Sequence, residues 1–287
     1  GEGTRAGSAD STDNGRHERV SRYREAKFAG DDNMPAEESP VWAAAERYAA
    51  TCKEPFSFWA VVKCALQGSD MVTAAGGHVK AAAAFRAVWV TRHGNNLDPK
   101  KIEGMRDVLP EELMNELKEV AEKGAPAEYD GPRERIECKA HKSFMEHLEE
   151  GLTKLWKDAK HGRSLFMSER TDLEGVLSSP LGRVPKLLPN REVSSEGRII
   201  RDLRQVNEFS PKERHPEVKT PTHQEIARRI VQEKAKWPGV PVLLSKRDID
   251  GAFKRVWWDL KDIGLFATDI EARTILERAY EEAMSDN

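Results

Sequence analysis

The chain has 287 residues, 38% apolar and 33% charged, with a formal net charge of −3: room for one large domain or two ordinary ones, but a more polar make-up than a compact globule. The slightly acidic total excludes a protein that coats nucleic acid along its whole length, and no apolar run reaches the roughly 18 residues of a membrane span. Three cysteines without paired spacing (Cys52, Cys64 and Cys138) point to a reduced, intracellular protein, cytoplasmic or nuclear, and a first residue of Gly rather than Met fits a fragment or a processed product.

Residues 1–38 are Gly, Ser, Asp, Arg and Glu with almost nothing to bury, and are expected to form a disordered tail. The early "GEGTRAG" lacks the dinucleotide-binding spacing and follows no strand. Helical signals begin at Ser39-Pro40, an N-cap followed by Pro at the first helical position, and continue through "VWAAAERYAA", "FWAVVKCAL" and the Ala-rich His78–Val90. From Pro110, "PEELMNELKEVAEKG" places Leu113, Leu117, Val120 and Ala121 on one side and stops at Gly124, a C-cap. Phe144, Leu148, Leu152, Leu155 and Trp156 recur at helical spacing. Residues 39–160 therefore read as a helical region, with no sign in the sequence of its protein partners. Cys138 and His141, with His147 and His161 near, have a spacing that fits no closed zinc site.

The texture changes near Val176. "GVLSSPLGRVPKLLPN" and "GRIIRDL" are short apolar runs bounded by Gly, Pro and Asn, as strands are, and the polar "NREVSSEG" (Asn190–Gly197) between them reads as a hairpin turn. Thr222 and Glu225 form a capping box that opens a helix with Ile226, Ile230 and Val231 inward, halted at Trp237-Pro238-Gly239. "VPVLLSKRDI" reads as the next, buried strand, and "EARTILERAYEEAMSDN" as a charged helical tail from residue 271 to 287. The fold class is α+β, with the second, mixed unit over residues 176–270.

Charge is concentrated in this half. Between Leu181 and Leu260 there are 17 Lys or Arg against 11 Asp or Glu, and a basic segment in an acidic chain marks a place for an anion to dock, although a solvated face has the same composition. "GRIIRDLRQVN" spreads Arg198, Arg201 and Arg204 along a strand and turn, and "SKRDIDGAFKRVWW" fixes Asp248 at the end of the next strand. Arginine suits a bidentate grip on phosphate, and a carboxylate at a strand end suits Mg²⁺ held together with substrate phosphates. Together they describe a site for metal-assisted phosphoryl or nucleotidyl transfer. The plainer alternative pairs Asp248 and Asp250 with Lys246, Arg247 or Lys254 on a surface strand.

The order of these pieces resembles the fingers and first palm motif of reverse transcriptases, RNA-directed DNA polymerases of the retrotransposon type, over roughly Gly182 to Thr268. The residues that carry it are Arg198, Asp202, Leu203, Arg204 and Asn207, followed by Asp248, Ala252 and Phe253. The resemblance implies a partial fingers/palm domain that works on an RNA or DNA primer-template with deoxynucleoside triphosphates and Mg²⁺, and no membrane. It makes Asp248 the catalytic aspartate that binds both metal ions. Phe253, beside Ala252, becomes the aromatic gate against a ribose 2′-OH. Arg198 becomes the fingers arginine over the incoming nucleotide, and Arg191 falls near the position that grips the γ-phosphate. Asp202, Arg204 and Asn207 become supports of the hairpin, and Asp250 pairs with Lys254. The family's aromatic–x–Asp–Asp hairpin is missing: the one Asp-Asp is Asp31-Asp32, on the wrong side of the chain. One acid cannot position two divalent ions, so the resemblance implies a polymerase fragment inactive by itself, or alternatively a non-catalytic nucleic-acid-binding or protein-interaction protein that keeps a decayed polymerase fold.

Overall fold

The computed structural model describes residues 39–94, 97–168, 171, 173–188, 190–215, 220–244 and 254–285. The expected tail over residues 1–38 and the segment 245–253, which holds Asp248, Asp250, Ala252 and Phe253, lie outside the described residues. The fold is mixed α+β, mostly helical with one small two-stranded sheet. No helix among the described residues is long and apolar enough to cross a membrane.

The helical layer begins with α1 (Pro40–Thr51), α2 (Phe58–Ala75) and α3 (His78–His93). Local capping chemistry fixes their ends. The Ser39 side chain accepts from the Trp42 N–H at 3.2 Å with Pro40 at the first position, and Ser57 accepts from the Ala60 N–H at 3.0 Å. Helix α2 ends on Gly76, which adopts the left-handed φ of 68° that glycine tolerates best. Ala45, Ala81 and Ala84 keep the helices close enough for Trp42, Tyr48, Val61, Phe85 and Val88 to share one core, which Trp156 and Ala159 join. At Gly68 a Cβ would sit 1.9 Å from the Phe166 carbonyl oxygen, so only glycine lets the 165–167 segment cross α2 there. Tyr48 Oη accepts from the Phe166 N–H at 2.7 Å and pins the same segment.

Helices α4 (Pro99–Glu103) and α5 (Glu111–Lys123) form a satellite around Ile102, Met114 and Ala121, with Leu117 at its edge. Gly124 ends α5 with φ 97°, as expected, but the buried face is rotated: Met114 points in and Leu113 stands exposed. The Phe144–Trp156 stripe is buried throughout, although a break separates α6 (Lys142–Met145) from α7 (Leu148–Lys160).

Strands β1 (Leu181–Leu187) and β2 (Val193–Arg201) pair antiparallel, with a bulge between Pro185 and Leu187. The turn is shorter than the sequence suggested, because Val193 to Gly197 already belong to β2. Leu181 reaches the core that Phe58, Phe144, Leu152 and Ala279 form, so the sheet rests on α6 and α7. A third core joins Ala127, Leu177, Val206 and Leu265, stitched by isolated bridges Ala125–Trp258, Ile136–Leu177 and Ser178–Ala267. Asp262, almost fully buried, accepts from the Ala127 N–H at 2.9 Å and from Arg133 at 2.5 Å, clamping this layer.

After the short α8 (Arg204–Glu208), helix α9 (His223–Lys236) carries both bonds of the expected capping box and stops before Trp237. Its expected inward face is not buried. Ile226 is exposed and Val231 is 67% exposed, because no described element lies against that side. The following "VPVLL" is likewise no strand: Leu243 is 87% and Leu244 72% exposed. A strand requires a neighbour for its N–H and C=O groups, and the only sheet among the described residues is β1–β2. Helix α10 (Ala272–Ser285) folds back onto α2, burying Ala279, so the residues expected to trail as a charged tail are docked.

Candidate functional site

Between the helical layer and the hairpin lies a cleft of about 1180 Å³. Its walls come from α2, α3 and α7, from the 163–168 segment, from β2, and from residues 254–258 and 263–276. The floor is apolar, with Val61, Phe85, Leu155, Phe166 and Ile199 facing it. The rim is cationic: nine Lys or Arg against three acids among the described lining residues. A concave surface with such an excess of cations over low-dielectric walls favours an anionic ligand.

Ion pairs inside the cleft sort these cations. Asp158, on α7, receives Lys254 at 2.5 Å and stands 3.8 Å from Arg163, and its charge also acts on Arg201 at the end of β2. Burial lowers the Arg201 guanidinium pKa and Asp158 works against that. Lys254 is thus held by a helix far upstream, and Asp250, expected beside it, lies outside the described residues. Lys186 pairs with Glu196 and Arg135 with Glu137. Arg198 and Lys157 have no ion-pair partner among the described residues.

The residues singled out in the sequence divide as follows. Arg198 lies exposed on β2 opposite Val184 and lines the cleft. Arg191 sits at the hairpin tip with a positive φ of 66°, in a turn closed by its N–H to the Leu188 carbonyl (2.8 Å) and by Asn190 Oδ1 accepting from the Glu192 N–H, and it does not line the cleft. Asp202 and Arg204 form a local knot at the end of β2. The Arg204 guanidinium donates to Asp202 at 2.8 and 2.5 Å, and His141 approaches at 3.4 Å. Bonding to Arg204 holds the Asp202 carboxyl well below the usual range. The Asn207 N–H bonds to the Leu203 carbonyl inside the helical turn that follows. Asp248, Ala252 and Phe253 lie outside the described residues, but Lys254, directly after them, shares the cleft with Arg198.

Sequence reasoning missed Glu150 and Arg183. Glu150 Oε1 accepts from the Gly197 N–H at 2.7 Å, Oε2 accepts from Arg183 Nε at 2.7 Å, and Lys154 donates to the same carboxylate. Burial pushes this carboxyl up, but the bonds from Lys154, Gly197 and Arg183 outweigh it and hold the pKa down at about 2. The only local signal was the i, i+4 pair Glu150–Lys154, a pattern common on exposed helix faces.

As a metal site the described residues offer little. Among them no three His, Cys, Asp or Glu side chains converge, and the cleft carboxylates Asp158 and Glu137 are already paired with cations. Asp248, the metal ligand that the resemblance implies, lies outside the described residues. The described arrangement can grip phosphate groups and seat an apolar or aromatic body beneath them. No family model, curated protein or solved structure matches the chain.

Proposed function

We propose that the chain is the primer-template- and nucleotide-gripping portion of a reverse-transcriptase-like polymerase, with the cationic cleft as its polyanion seat. One observation carries this reading: Arg198, without a partner among the described residues, faces the same cleft as Lys254, which follows the Asp248–Phe253 motif. Arg198 and Lys157 meet phosphate oxygens, Asp248 holds Mg²⁺, and Phe253 tests the sugar of a deoxynucleoside triphosphate. Nucleotidyl transfer by this family's mechanism uses a second pair of carboxylates, and the sequence has no aromatic–x–Asp–Asp motif to supply it, so in this reading the chain by itself binds without extending a primer.

The test is fluorescence anisotropy with a labelled RNA–DNA primer-template across a KCl series, beside a primer-extension assay with Mg²⁺ and deoxynucleotides. A cleft in which two cations meet phosphates releases about two counterions and gives a slope of log K against log [salt] near −2, which Arg198→Ala reduces by about one. A flat slope eliminates the polyanion cleft. The absence of an aromatic–x–Asp–Asp motif also favours a second reading, a binding protein with no polymerase role. That reading wins if supplying a complete palm in fusion gives no extension that depends on Asp248.

A further inference from the structure

We propose that Glu150, in the helical layer, is a positioning residue of the cleft: by clamping strand β2 at Gly197 it sets the bearing of Arg198, the next residue along. This rests on the polyanion-binding reading and adds a residue from outside the stretch that resembles a polymerase.

Helix α7 holds both polar groups of Gly197. The Gly197 N–H donates to Glu150 Oε1 at 2.7 Å, and the Gly197 carbonyl accepts from Lys154 Nζ at 2.5 Å. That carbonyl belongs to the peptide unit joining Gly197 to Arg198, so its plane, and with it the exit direction of the Arg198 side chain, is fixed from α7. The sheet cannot do this alone. The register partner of Gly197 is Pro185, which has no N–H, and the ladder shifts immediately beyond it. Strand β2 also has no second strand neighbour among the described residues, so its far edge needs partners from elsewhere.

A second feature points the same way. The Arg183 side chain, almost fully buried, crosses over Gly197 with Nε on Glu150 and Nη2 donating to the Ser195 carbonyl at 2.6 Å. A Cβ on Gly197 would lie 2.6 Å from both Cγ and Nε of Arg183. Cγ is near the root of that side chain and cannot swing aside cheaply, so the glycine is what lets the clamp close. Arginine, glycine and carboxylate thus form one unit whose output is the placement of position 198.

The experiment uses the full chain and the labelled RNA–DNA primer-template. Glu150→Gln is expected to weaken binding about fivefold, and to add no further loss in an Arg198→Ala background, as expected when one residue acts through another. Gly197→Ala leaves Glu150 intact and is expected to give the same signature, so the test stands even if one variant folds poorly by circular dichroism. Wild-type binding that Arg198→Ala weakens but Glu150→Gln and Gly197→Ala leave unchanged overturns the positioning role alone. So does a Glu150→Gln loss that persists undiminished without Arg198, which marks general destabilisation. A wild type that shows no salt-dependent binding brings down the cleft reading and the role of Glu150 with it.

Discussion

Glu282 provides the sharpest test of how the C-terminal helix docks. Its carboxylate Oε2 accepts from the N–H groups of Phe58 at 2.9 Å and Trp59 at 3.3 Å, the first two donors of α2. Ser57 takes the third, from Ala60, through its hydroxyl, and its carbonyl accepts the first regular helical bond, from Val61 at 3.1 Å. The orphan donors of Phe58, Trp59 and Ala60 are thereby satisfied, two of them by a negative charge placed where the helix dipole favours one. Phe58 is buried, so Glu282→Ala leaves its N–H without an acceptor and costs about 1.5–2 kcal/mol, while the exposed Trp59 turns to water at little cost. Glu282→Gln keeps an acceptor but removes the charge, for about 0.5–1 kcal/mol. At ~2–4 °C per kcal/mol for a fold of this size, the alanine variant melts about 3–8 °C lower and the glutamine variant falls between it and wild type. Thermal denaturation followed by circular dichroism at 222 nm reads both. An alanine variant melting within a degree of wild type refutes the docking of α10 as described.

Two further outcomes follow from the interior. The Glu150 carboxyl is held at about 2 against an ordinary 4.5, so its ionised form stabilises the fold fully above about 4.5, and that contribution is lost as the pH falls toward 2. The full shift corresponds to about 3 kcal/mol, reduced by solvent screening to roughly 1 kcal/mol. In urea unfolding, the stability gap between wild type and Glu150→Gln should close across that window; a gap independent of pH contradicts the clamp. Cys52 and Cys64 are buried with their sulfurs 3.3 Å apart, and bonding to Cys52 together with burial pushes the Cys64 thiol far up. A thiol reagent at pH 8 should therefore modify Cys138 quickly and the other two only in denaturant. Three fast thiols would contradict the packing of α1 on α2.

What the sequence revealed was local. Ser39-Pro40, Gly124 and the Thr222–Glu225 box each mark a helix end through bonds within a few residues, and each stands where expected. What it hid depends on distant partners. The apolar runs at Ile226–Val231 and "VPVLL" specify a wish for burial without saying against what, and no described element meets them. The α5 stripe failed for a similar reason. Leu113 and Met114 are adjacent, and only the position of α4 decides which of them turns inward. Of the site, the arginines of β2 were legible as a cationic strand. Glu150, 47 residues before Gly197, was not, since a carboxylate on a helix gives no sequence signal of the strand it will hold.

The same distinction explains how the cleft tolerates its own charge. Nine Lys or Arg side chains around one concave wall repel each other, and the repulsion grows as water is excluded. Asp158 lowers it where the crowding is worst, placing one carboxylate among Arg163, Arg201 and Lys254, while Glu150 does so for Arg183 and Lys154. Both acids come from α7, so one helix supplies the countercharge for cations drawn from the hairpin and from the chain after residue 253. Compensated cations offer a ligand little, because binding an anion there must compete with a carboxylate already in place. Arg198 and Lys157 lack such a carboxylate among the described residues, so an incoming phosphate gains most beside them. The helical layer therefore shapes the cleft's selectivity as much as its walls, because Asp158 and Glu150 occupy Arg163, Lys254 and Lys154 while Arg198 and Lys157 keep no carboxylate among the described residues.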